Sequence, residues 1–183
     1  MYIMERKKDT IRIPPNRLEE DLDTVAKDIA REELEGTIED GNKLIILARD
    51  IERVGDGKIV HGDGAIFQDI SYDALIFQLQ EQELIYGYVC EVLKFGAFVR
   101  FGPLDGLLHI SQIMNDKVEV DEGSQLLKGK ESDRILKVDD EIRARIVTVS
   151  VNERSPRESK IGLTMRQNGL GKLEWMKEEE EAS

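Results

Sequence analysis

The stretch Leu84–Ile113 reads L-I-Y-G-Y-V-C-E-V-L-K-F-G-A-F-V-R-F-G-P-L-D-G-L-L-H-I-S-Q-I. Apolar residues recur at every second position through Leu84–Leu93, Ala97–Phe101 and Leu104–Ile110, and glycine or proline stands at the breaks, which is the pattern of short strands joined by tight turns. Phe95, Phe98, Arg100 and His109 are left over, in places where a soluble core does not need them. The stretch reads as the first half of a small barrel.

Further strands are expected at Glu141–Val149 and Ser159–Arg166. Five short strands with a long insertion between the third and fourth fit the Greek-key barrel that binds oligonucleotides. The insertion, residues 111–140, is polar and charged, and is expected to be partly helical or loosely ordered. Strand alternation assigns the faces. Ala97, Val99 and Phe101 point inward with Ile142, Ala144 and Ile146, whereas Phe98, Arg100, Arg143 and Arg145 point outward.

Phe95 and Phe98 beside Lys94, Arg100, Arg143 and Arg145 would form an aromatic platform ringed by cations. Single-stranded nucleic acid needs that combination, because base faces stack on aromatic rings while a basic rim follows the phosphates. The alternative is that both phenylalanines complete the barrel core or a contact between domains. His109 has no neighbours in the sequence that would make it a metal ligand or a base; it either contacts RNA or is a satisfied core histidine. Cys90, the one cysteine, excludes an intramolecular disulfide and reads as a small apolar strand residue.

Upstream, Tyr2–Ile13 reads as a strand stopped by Pro14-Pro15. A helix is expected from a capping-box-like start at Asn16 to about Glu35, with Leu18, Leu22, Val25 and Ile29 as its apolar stripe and Gly36 closing it. Strands follow at Gly36–Ile38, Leu44–Val54 and Ala65–Leu79, divided by glycine-rich turns at 55–57 and 62–64. The fold class is therefore two domains. Residues 1–80 form an α+β domain, an antiparallel sheet with one packed helix, and residues 81–183 form an all-β, five-stranded OB-fold barrel with the 111–140 insertion and an acidic tail, Glu178–Glu181.

The net charge of −12 argues at first against a nucleic-acid partner. Its distribution does not: residues 143–172 hold seven basic residues (Arg143, Arg145, Arg154, Arg157, Lys160, Arg166, Lys172) against Glu153 and Glu158. Remote acids are screened beyond about 8–10 Å, so a local basic face acts on its own. Parts for catalysis are missing. His61 and His109 lie in different domains, no glycine-rich phosphate loop opens a helix, and Asp121-Glu122 and Asp139-Asp140-Glu141 read as solvated acids rather than a metal site. No catalytic residue, metal or cofactor is expected. No apolar run approaches the ~20 residues of a membrane span, and the protein is expected to be soluble and cytoplasmic.

The segment G-Y-V-C-E-V-L-K-F-G-A-F-V-R-F-G-P-L-D-G-L-L-H-I-S-Q-I resembles the RNA-binding OB-fold domain named after the largest protein of the bacterial small ribosomal subunit. That resemblance implies an RNA surface of Phe95, Phe98 and His109, joined by an aspartate and an arginine position near which Ser150 or Asn152, and Lys160, stand here. R-I-P-P at Arg12–Pro15, G-D-G-A at Gly62–Ala65, Gly102–Ile113 and K-I-G-L-T-M-R-Q-N-G-L-G-K-L-E-W at Lys160–Trp175 together resemble the E-prime family of archaeal RNA polymerase stalk proteins, counterparts of the seventh subunit of eukaryotic RNA polymerase II. This second resemblance implies a non-catalytic stalk: an N-terminal domain docked on the polymerase core, a heterodimer with the small helical F component of the polymerase, and a barrel that holds emerging single-stranded RNA and supports promoter opening and elongation. The alternative is a free-standing RNA-binding protein of translation or RNA decay.

Overall fold

A computed structural model describes residues 1–121, 123–152 and 159–181. Glu122, Glu153, Arg154, Arg157 and Glu158 lie outside the described residues. The chain divides into two compact units, Met1–Gln78 and Leu79–Ser183.

In the first unit β1 (Tyr2–Ile13) pairs antiparallel with β5 (Ile66–Gln78) along its whole length. The strands β2 (Ile38–Glu39), β3 (Lys43–Arg53) and β4 (Lys58–Ile59) complete the sheet, whose main order is β1-β5-β3-β2 with β4 on β5. The helix α1 (Leu22–Leu34) lays Val25, Ala26, Ile29, Ala30 and Leu34 on one face of that sheet, against Ile11, Ile13, Ile45, Ile70, Tyr72 and Ile76. Burial of these side chains from water is what holds the layer together. The helix starts later than expected. Pro14 and Pro15 fix their own φ and open a single 3-10 turn, Pro15–Arg17, so Asn16 caps nothing. Asp21 is the cap instead, its carboxylate accepting from the Thr24 N–H at 3.1 Å and the Thr24 hydroxyl at 2.7 Å. Leu18 and Leu22 still pack against the core, but Leu18 does so from outside the helix. The R-I-P-P and G-D-G-A motifs meet here: Arg12 grips Asp63 through two N–H donors, at 3.0 and 2.5 Å.

The second unit is built on β6 (Leu84–Leu93), β7 (Gly96–Phe101), β8 (Leu104–His109), β12 (Glu141–Ser150) and β13 (Lys160–Thr164). They run in the order β13-β8-β7-β6-β12, and a β12–β13 ladder closes the ring into a five-stranded barrel. The β8–β13 pair is parallel and the others are antiparallel. Ala97, Val99, Phe101, Ile142, Ala144 and Ile146 are buried inside, as alternation requires. The alternation breaks at Cys90, where a bulge leaves it as an extra residue between Val89 and Glu91 and returns the outward face to Glu91. Its half-buried thiol donates to the Phe98 carbonyl at 3.3 Å, and burial raises its pKa, which keeps it a protonated structural group.

The insertion is neither helical nor loose. A 3-10 turn, Ile110–Gln112, leads into a three-stranded antiparallel sheet, β9 (Val118–Asp121), β10 (Leu126–Gly129) and β11 (Ile135–Lys137), in the order β11-β10-β9. Leu127, Leu136, Ile113 and Met114 are buried there. Strands of three or four residues between charged turns carry too few alternations to show as periodicity. The chain ends in β14 (Gly171–Lys172), paired with β12, and a helix, α2 (Leu173–Glu181), so Glu178–Glu181 is the last turn of a helix and not a loose tail. Trp175 and Met176 of α2 are buried, and the Arg134 guanidinium lies 5.4 Å from the centre of the Trp175 ring.

Candidate nucleic-acid interface

Strand register decides which candidate residues meet. Residues directly paired across a ladder share a face. Phe98 is paired with Glu91 on β6 and Leu107 on β8; Leu107 is paired with Gly162 on β13, and Gly162 with Thr148 on β12. This outward row forms the floor of an open groove lined by Phe98, Asp105, Leu107, Thr148, Ser150, Ser159, Lys160 and Gly162. Gly162 leaves the floor of the groove without a side chain beside Thr148. Half-buried Phe98 and exposed Lys160 thus come together, an aromatic face with a cation beside it, and Ser150 joins them.

Phe95 and His109 meet at one end of the β7–β8 hairpin. Gly96 is paired with His109, and the Ile110 N–H donates to the Phe95 carbonyl at 2.9 Å. Only glycine fits at position 96: its φ is +150°, and a Cβ would sit 2.2 Å from the Leu108 carbonyl oxygen. Phe95 stays 47% exposed, Lys94 is exposed beside it, and so is His109. The His109 Nδ1 accepts from the Ser111 N–H at 3.2 Å and contacts the Ser111 hydroxyl at 2.8 Å. A backbone N–H can only donate, so the neutral ring carries its hydrogen on Nε2, free to donate outward. Arg166 extends this end, donating to the Ser111 carbonyl at 3.1 Å and to Asn115 at 2.8 Å.

Arg100 points outward like Phe98, but it is not a free cation. Asp105 accepts from its Nε and from a terminal nitrogen at 2.8 and 3.1 Å, and these bonds, with the nearby Asp105 charge, raise its pKa further. Arg143 and Arg145 do not ring the phenylalanines as expected. They face outward, half-buried, but β12 pairs with the first half of β6, where Arg143 is opposite Tyr86 and Arg145 opposite Leu84. Glu91, the partner of Phe98, is five positions along β6 from Tyr86, on the order of 15 Å away. Among the described residues no group of three or more His, Cys, Asp or Glu is placed to hold a metal ion, and no helix is long and apolar enough to cross a membrane.

Comparison with known proteins agrees with this geometry. Residues 78–160 match the S1 RNA binding domain, and residues 8–64 match the SHS2 domain found in the N terminus of Rpb7p/Rpc25p/MJ0397. The DNA-directed RNA polymerase subunit Rpo7 of Saccharolobus shibatae is 35% identical over 178 residues, covering 96% of this chain and 97% of the relative. The chain belongs to the Rpo7 family of DNA-directed RNA polymerase subunits. The Rpo7 of Sulfolobus acidocaldarius is 34% identical over 98% of this chain. A more distant relative, the DNA-directed RNA polymerase III subunit RPC8 of Bos taurus, is 24% identical over 85% of it.

In this member of the Rpo7 family the first unit is the SHS2 domain and the closed barrel is the S1 OB-fold. Two further aromatic residues stand on the barrel surface. Tyr86 and Tyr88 are 64% and 43% exposed on the outer face of β6, and the alternation L-I-Y-G-Y-V already places both tyrosines opposite the buried Ile85 and Val89.

Proposed function

We propose that this chain is a non-catalytic stalk subunit of a DNA-directed RNA polymerase, whose barrel holds single-stranded RNA as it emerges. The SHS2 unit docks on the polymerase core, and the chain pairs with the small F component of the polymerase. Held RNA supports promoter opening and elongation by staying close to the enzyme that made it, where a modest, sequence-tolerant affinity suffices at high effective concentration. The observation that carries this reading is the groove in which Phe98 and Lys160 stand together on the outside of a closed S1-type barrel. Phe95 and His109 continue it at the hairpin end. An aromatic floor with a cation at its rim suits bases and phosphates of any sequence.

The test is an RNA titration of the full-length chain in parallel with its Phe95→Ala/Phe98→Ala variant. If each ring stacks one base, the double replacement costs roughly 2–6 kcal/mol of RNA binding. Unchanged affinity in the folded variant overturns the RNA reading. Purification from native extract tests the assembly: the chain is expected with the large polymerase subunits, and its migration with ribosomes or a ribonuclease complex instead removes the stalk assignment.

A further inference from the structure

We propose that a second RNA tract, built of Tyr86, Tyr88, Arg143 and Arg145, runs over the outer face of β6 and β12 and takes up a single strand beyond the Phe98 groove. It rests on the RNA-binding reading of the barrel given above. Tyr86 and Tyr88 are two positions apart on one face of one strand, about 6.6 Å, far enough for one base on each ring. Both are substantially exposed, so neither is accounted for by the core. The Arg143 guanidinium lies 5.6 Å from the centre of the Tyr86 ring, a stacked cation that leaves most of that tyrosine open to solvent.

The charge of this face is also unusual for the chain. Acids outnumber bases by 38 to 26, and Arg6, Arg12, Arg17, Arg53 and Arg100 each hold a carboxylate. Among the described residues Arg143 and Arg145 form no ion pair or hydrogen bond, and the buried Nε of each is unpartnered. Two guanidinium groups that hold no carboxylate, beside two exposed aromatic rings, match a polyanion that also presents flat aromatic faces, which is single-stranded RNA, although exposed Glu141 is paired with Tyr88 on the same face. An acidic protein would answer the charge but not the rings.

Register makes the tract continuous with the groove. Tyr88 is paired directly with Arg100, and Arg100 is two positions from Phe98 on the same outward face of β7. A strand leaving Phe98 passes Arg100 and reaches Tyr88, then Tyr86 with Arg143, then Arg145.

Oligonucleotide length separates the tract from the groove. The full-length chain is titrated with single-stranded RNAs of about 5 and about 12 nucleotides, within the range of sites found on such barrels. Tyr86→Ala/Tyr88→Ala is expected to weaken the longer RNA at least about tenfold and leave the shorter unchanged, whereas Phe98→Ala weakens both. Tyr86→Phe/Tyr88→Phe keeps the rings and is expected to bind like the parent. If the alanine pair fails to fold, Arg143→Gln/Arg145→Gln carries the same comparison. Parental affinity of the tract variants for the longer RNA, with Phe98→Ala impaired, overturns the tract alone, also where those variants lose a protein partner. If Phe98→Ala changes neither RNA, the RNA reading of the barrel fails and the tract with it.

Discussion

Arg100 and Asp105 face each other across the β7–β8 ladder, and the carboxylate takes two N–H bonds from one guanidinium, at 2.8 and 3.1 Å. Asp105 also lines the groove that holds Phe98 and Lys160. An outward arginine at the edge of the proposed RNA groove is thereby paired, and an acid stands where phosphates would pass. Both side chains are well exposed, and exposed pairs contribute little to stability. Asp105→Asn keeps the size, removes the charge and frees Arg100. The expected result is tighter RNA binding, several-fold at moderate salt, with the dependence of log K on log salt steeper by about 0.7, one phosphate contact on a single strand. The melting temperature should change by no more than about 2 °C. Fluorescence anisotropy at three or more salt concentrations measures this, and weaker binding would show that Asp105 serves the RNA instead of restraining it.

Lys160 is exposed in the same groove, at the first position of β13. As a point charge against phosphate it should carry no base preference. Lys160→Gln is expected to weaken homopolymeric RNAs of different base alike and to flatten the salt dependence by about 0.7. A loss confined to one base would reassign Lys160 to base recognition.

Much of this arrangement was legible in period-two alternation. Ala97, Val99 and Phe101 had to point away from Phe98 and Arg100, and a turn glycine at 96 had to bring Phe95 beside the end of the next strand. Alternation assigns faces but not neighbours. Whether Arg143 lies near Phe98 or near Tyr86 depends on which strand β12 joins and in what register, and closure of the barrel decides that, not any local pattern. Bulges obscured more: Cys90 shifts the phase of β6 midway, and β12 has a second irregularity between Ile146 and Thr148. The Arg100–Asp105 pair was hidden for a similar reason, because a cation's availability depends on what stands opposite it. The strands of the insertion are too short for either helical or strand periodicity to declare itself.

The start of α1 offers a separate check on the first unit. Asp21 accepts from the Thr24 hydroxyl and the Thr24 N–H, and these bonds hold its carboxyl below the usual carboxylate range. A depressed pKa contributes stability that is present above the ordinary value near 3.9 and is lost as pH falls through the lowered one. Asp21→Ala is expected to lower the melting temperature of the first unit by about 4–8 °C at neutral pH. The difference from the parent should shrink as pH falls below about 4, because the carboxyl of the unfolded chain protonates there before that of the folded one. A calorimetric series from pH 7 to pH 3 tests both statements. A deficit unchanged at pH 3 would show that the cap acts through shape and not through charge.

The second unit also holds a nearly buried ion pair. The Lys172 ammonium stands 3.0 Å from the Asp140 carboxylate, with the side chains only 10% and 7% exposed, and Asp140 also accepts the Lys137 N–H at 2.8 Å. Lys172 belongs to β14, which pairs with β12 and leads directly into α2. The pair therefore pins the last helix to the barrel. Burial alone would lower the Lys172 pKa, but its bonds to Glu174 and Asp140 outweigh it and the pKa is raised. A raised pKa means that the pair's contribution is fully present below the ordinary lysine value near 10.4 and fades as pH rises through the higher folded value. Asp140→Ala leaves a nearly buried ammonium with only exposed Glu174 and should cost about 3–5 kcal/mol at pH 7. In urea unfolding the gap between parent and variant should stay level from pH 7 to about 10 and narrow above that. Trp175, buried in α2 under the Arg134 guanidinium, supplies a local readout. Its emission should shift to the red in Asp140→Ala before global unfolding, and a Trp175 spectrum identical to the parent's, with full stability, would show that apolar packing alone holds α2 in place.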